Sequence, residues 1–141
     1  MKPLHFFDTN ILLYSISTDP SEAEKRDRAI ELLDNDHGAM SIQVLQEFYV
    51  QATRPSRNGF ASHRAAVNLI TSWTRFAIQE MTMAVFTRAL TIKEVHGFSY
   101  WDSAILSAAL ELECGTLYSE DMSHGKRIDG VLIVNPFGES K

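Results

Sequence analysis

Five short apolar runs alternate with longer segments of helical periodicity, and this alternation restricts the fold more than any other feature. The runs cover residues 4–7, 39–42, 76–78, 116–119 and 131–134. Each is too short for a buried helix and is bounded by polar or turn-forming residues, so each reads as a buried strand. The intervening segments predict helices at 22–36, 44–52, 62–74 and 83–96, with another opened by Ser99. Strands that alternate with helices imply a parallel sheet covered on both faces. Gly97 stops one helix, and Arg54-Pro55-Ser56-Arg57-Asn58-Gly59 is the clearest loop, because Pro and Gly interrupt regular structure.

The apolar stripes of the helices predict what faces the core. In 22–36 they are Ala23, Ala29, Ile30 and Leu33, with Lys25, Arg26 and Arg28 turned to water. In 44–52 they are Leu45, Phe48 and Ala52, and in the helix after Ser99 they are Trp101, Ile105, Ala108 and Leu112.

A chain of 141 residues is expected to form one domain spanning 1–141. Hydrophobic residues at 45% and charged residues at 22% exclude a disordered chain. The net charge of −5 argues against a basic nucleic-acid coat protein, though not against a nucleic-acid enzyme whose acids gather around a metal. The single cysteine, Cys114, rules out an intrachain disulfide. The opening residues reach Asp8 before an apolar signal region can form, and no apolar stretch approaches the roughly 20 residues of a membrane span. The expectation is a cytoplasmic protein with no membrane partner.

In open parallel sheets, ligands bind outside the carboxyl ends of the strands, near the point where strand order reverses. Four acids fall at such positions. Asp8 follows the first strand, Glu47 lies early in the helix after the second, Asp102 is in the first turn of the helix after Ser99, and Asp121 follows the fourth strand. Each also has a structural reading: Asp8 as an N-cap, Asp102 as the partner of Ser99 in a capping box, Glu47 as an exposed helical acid, Asp121 as a turn former. Together, clustered carboxylates repel unless a cation is present, and oxygen donors suit Mg²⁺ or Mn²⁺. The five histidines lack metal-binding spacing, so zinc does not fit.

These residues resemble a known family. Asp8-Thr9-Asn10 after an apolar strand, Glu47, the run from Ser99 to Ile105, and Leu117-Tyr118-Ser119-Glu120-Asp121-Met122 are similar to the PIN-domain ribonucleases, above all the VapC-type toxins of bacterial toxin–antitoxin pairs. The likeness extends to Val134-Asn135-Pro136-Phe137. It implies a three-layer α/β/α sandwich with a central parallel sheet and metal-dependent cleavage of RNA. It implies Asp8, Glu47, Asp102 and Asp121 as the acidic, metal-holding set, with Asp8 and Asp102 as direct ligands and Thr9 and Ser119 as supporting hydroxyls. The family pattern favours Asp121 over the adjacent Glu120 as the fourth acid. It also implies a cognate antitoxin and a homodimer.

Between Phe48 and Gln79 there are no acids but four arginines, Arg54, Arg57, Arg64 and Arg75. This basic flank can contact phosphates, and Arg54 and Arg57 are the candidate substrate-binding pair. Trp73 and Phe76 read as a stacking face for RNA or as core residues. Two other functions remain open: a non-catalytic protein-binding module, and a haloacid-dehalogenase-like phosphotransferase. The latter needs a second Asp two residues after Asp8, where Asn10 stands.

Overall fold

The computed structural model describes residues 4–138. Six strands form one sheet: β1 (His5–Phe7), β2 (Gly38–Ser41), β3 (Ala77–Gln79), β4 (Thr116–Tyr118), β5 (Arg127–Ile128) and β6 (Val131–Val134). Their order is β3-β2-β1-β4-β6-β5, parallel throughout except for the β5–β6 hairpin. Among the described residues, six α-helices connect them: α1 (Thr9–Ser15), α2 (Ala23–Leu33), α3 (Ile42–Ala52), α4 (His63–Trp73), α5 (Met83–His96) and α6 (Tyr100–Glu111).

From β1 the chain steps outward through α1–α4 to β2 and β3, then returns through α5 and α6 to β4 on the other side of β1. Because parallel crossovers are right-handed, a reversed step puts the two helix groups on opposite faces. The result is the expected α/β/α layering, with the reversal between β1 and β4. Phe6, Phe7, Met40, Leu117 and Ile133 on the strands are fully buried against Ile11, Leu12, Val44, Phe48 and Leu106 on the helices. Gly38 opens β2 because a Cβ there would meet the Phe76 ring at 2.6 Å and the Phe7 ring at 2.8 Å.

The helix boundaries follow hydrogen-bond chemistry that the apolar pattern reads only in part. Ser41 caps α3 by accepting from the Val44 N–H, so that helix starts at Ile42. Asp19 caps a single 3₁₀ turn, Pro20–Glu22, that precedes α2 and was not expected. Gly97 ends α5 in the left-handed region at φ 78°, as its sequence position predicts. The two-residue β5 was also not expected, since its apolar content is a single Ile128.

Two core assignments and one surface assignment change. In α2 the buried face is Ala29, Leu32 and Leu33, leaving Ile30 49% exposed. Lys25 is not simply turned to water but pairs with Glu120. Trp101, expected in the buried stripe of α6, is 62% exposed. The reason lies in α6 itself: every residue from Ser103 to Ala109 is buried, as befits a helix packed between α5 and the sheet. A helix buried all round has no single stripe, and its exposed residues, Trp101 and Glu111, are instead at its two ends.

Candidate active site

Asp8 leaves the carboxyl end of β1, where its N–H donates to the Tyr118 carbonyl of β4 at 3.0 Å. It caps α1, as one of its two readings anticipated, with Oδ1 accepting the Thr9 N–H at 2.7 Å. The same carboxylate is 8% exposed, and its Oδ2 accepts the Ser119 hydroxyl at 2.7 Å. Capping and site-building therefore coincide in one residue. Burial pushes the Asp8 carboxyl up to about 6. The hydrogen bonds from Ser119 and Thr9 oppose that rise, and the charges of Glu47 and Asp102 add to it.

The other acids join through short polar links. Thr9 donates its hydroxyl to Glu47 Oε1 at 2.7 Å, tying α3 to α1. The buried Ser119 hydroxyl accepts the Asp121 N–H at 3.2 Å while donating to Asp8. Asp102 stands in the first turn of α6, where its N–H donates to the Ser99 hydroxyl at 3.1 Å. Burial raises its carboxyl above the ordinary range; the Ser99 hydrogen bond opposes this, and the charges of Asp121 and Glu47 reinforce it. The four acids thus share one electrostatic neighbourhood at the reversal in strand order. Among the described residues, no three His, Cys, Asp or Glu side chains stand close enough to form a ready-made metal cluster.

Asn10, quoted in the Asp8-Thr9-Asn10 motif but given no role there, is a member of this site. Its Nδ2 donates to Asp121 Oδ2 at 3.2 Å, and its Oδ1 accepts the Glu120 N–H at 3.2 Å. Its spacing was the available signal: two residues beyond Asp8, in the first turn of α1, it shares the same sheet edge. Glu120 is engaged elsewhere, accepting from Tyr14 and from Lys25.

The basic flank divides. Arg54 lines a cleft of about 360 Å³ together with Gln43, Glu47 and Trp101. Arg57 lines a second cleft, of about 270 Å³, with Asn10, Tyr14, Glu120 and Asp121. Both clefts border the acids, and Gln51 lines both. Arg75 instead holds the Leu33 and Ser72 carbonyls at 2.8 Å and covers the Phe76 ring. Trp73 and Phe76 are 4% and 6% exposed, and Trp73 packs edge-on against Phe48. They belong to the core and offer no stacking face.

Among the described residues, no helix is long and apolar enough to cross a membrane. No curated protein matches the chain in sequence. Solved structures do match in fold. A toxin–antitoxin complex from Klebsiella pneumoniae superposes with a TM-score of 0.68 at 20% identity, over 94% of this chain and 97% of that one. VapC20 from Mycobacterium tuberculosis, a toxin that cleaves the sarcin–ricin loop, gives 0.62 at 18% identity, covering 82% and 88%. VapBC2 from Rickettsia felis, bound to a DNA fragment from its promoter, gives 0.60 at 20% identity, covering 92% and 96%. The family model of the PIN domain matches residues 5–128, and the chain therefore belongs to the PIN-domain family.

Proposed function

We propose that the chain is a divalent-metal-dependent endoribonuclease and the toxin of a type II toxin–antitoxin pair. The observation that carries this reading is the buried Asp8 carboxylate, held by Thr9 and Ser119 at the strand-order reversal, with the charges of Glu47 and Asp102 acting on it and Asp121 linked to it through Ser119. The donor set fits a hard cation, since every candidate ligand atom is oxygen. Mg²⁺ is commonly bound by one or two carboxylates and keeps several waters, so a tight cluster of three acids is not required. Mn²⁺ suits the same donors.

Asp8 and Asp102 are the proposed direct ligands. When bound, the metal supplies a water of lowered pKa and offsets charge developing on the phosphate. Glu47, hydrogen-bonded by the Thr9 hydroxyl, is the proposed acceptor of the proton from an attacking water, with Asp121, hydrogen-bonded to Asn10 and Ser119, as the other candidate. Ser119 fixes the carboxylate plane of Asp8. Arg54 and Arg57, each in one of the two clefts that border the acids, supply phosphate contacts.

The fold neighbours support a cognate antitoxin as partner, because several are toxin–antitoxin complexes. Self-association is the companion proposal. Met83, Phe86 and Leu90 are exposed at helical spacing on α5 and suit a contact between copies.

The test is incubation of the purified protein with total RNA, with Mg²⁺ or Mn²⁺ and with chelator, followed by end mapping. Metal-dependent cuts that disappear in Asp8→Asn support the proposal. Cleavage that survives chelation, or survives in Asp8→Asn, overturns it.

A further inference from the structure

The cleft beside Glu47 has a composition that phosphate binding and metal binding do not use. Trp101 lines it and is 62% exposed. Its orientation is set by an edge contact with Tyr100, ring centroids 5.0 Å apart at 74°, and Tyr100 in turn meets Phe86. The backbone beneath it is pinned as well, because Gln43 Nε2 donates to the Trp101 carbonyl at 3.3 Å. Gln43 is only 5% exposed, yet its Oε1 has no hydrogen-bond partner, which is unusual for a buried polar atom. Gln46 and Gln51 bring further amides to the wall, and Arg54 forms no ion pair among the described residues.

We propose that this cleft is a base-binding subsite, in which the Trp101 indole stacks on one unpaired nucleobase of the RNA. The glutamine amides of α3 face the base edge, and Arg54 takes a backbone phosphate. Three chemical features favour a nucleotide over a peptide or a second copy of the chain. An anchored, exposed indole is a stacking platform for any base. Uncharged amides both donate and accept, as base edges require. A free guanidinium beside them matches a phosphate. The volume of about 360 Å³ lies within the roughly 300–1,000 Å³ range of small-ligand clefts. A base in this cleft keeps its backbone beside the acids, since Glu47 lines the cleft and Trp101 immediately precedes Asp102. A paired base cannot enter, so the subsite selects loops and single strands.

This inference rests on the nuclease reading for its substrate, and its test separates the two. The full chain in chelator is titrated with a short single-stranded RNA, with the same strand carrying abasic sites, and with its duplex, while indole emission is followed. The expected result is quenching by the single strand alone, absent in Trp101→Phe. In metal, Trp101→Ala raises KM by roughly tenfold or more and changes kcat less. Retained quenching in Trp101→Phe, equal quenching by the abasic strand, or burial of Trp101 by self-association without RNA overturns the subsite. Quenching without cleavage in metal upholds the subsite and rejects the nuclease. Cleavage without quenching does the reverse.

Discussion

Tyr14 donates its hydroxyl to Glu120 at 2.6 Å, and Lys25 pairs with the other oxygen of the same carboxylate. The acid next to Asp121 is therefore committed to α1 and α2, and it acts as a strut for the loop that carries Asp121. Glu120→Gln should keep metal-dependent cleavage while Asp121→Asn loses most of it. A side-by-side cleavage assay of the two variants checks this. Tyr14→Phe, which removes one hydrogen bond to a charged group, should cost roughly 1.5–3 kcal/mol at most, read from denaturant unfolding.

Asp8 links the site to stability. Its folded carboxyl sits at about 6, against an ordinary value of 3.8. A group raised in this way contributes stability that is fully present below the unfolded value and is lost as pH rises through the folded one. Metal-free protein should thus become more stable as pH falls from about 7 to about 4, by about 3 kcal/mol from this residue. Asp8→Asn should remove that pH dependence. Thermal melts in chelator across the window, for both proteins, measure the difference.

Ser119 serves two acids with one buried hydroxyl. Ser119→Ala leaves Asp8 Oδ2 and the Asp121 N–H without this partner, so a loss of about 1–3 kcal/mol is expected. The site should also lose metal affinity, seen as a smaller rise in melting temperature on adding Mn²⁺. Equal metal-induced shifts in the variant and the parent would contradict the positioning role.

Arg54 and Arg57 line different clefts and should act independently. Replacing either with Gln should reduce the salt dependence of single-stranded RNA binding by about 0.7 in the log–log slope, and replacing both by about twice that. Arg75→Gln should leave the slope unchanged and lower stability instead, because its guanidinium holds two carbonyls.

The acidic edge was legible in the sequence because strand ends and caps are written locally. An apolar run followed by Asp-Thr-Asn gives both β1 and the first turn of α1. Ser99 three residues before Asp102 gives the start of α6. What escaped depends on contacts far apart in sequence. Lys25 reads as a solvated helix residue until Glu120 is brought beside it. Asn10 has no partner until the β4 loop arrives, 110 residues later. Trp101 escaped for the same reason. Periodicity puts it in the buried stripe of α6, and only the packing of α6 between α5 and the sheet leaves it outside.

The hydrogen bond from Ser119 to Asp8 spans 111 positions of the chain, and β4 must dock against β1 before it can form. A growing polypeptide carrying only the first hundred residues holds Asp8 and Glu47 but lacks the strand that completes their surroundings. Such a fragment lacks Asp102, Ser119 and Asp121, so the full acidic set comes together only after most of the chain has been made.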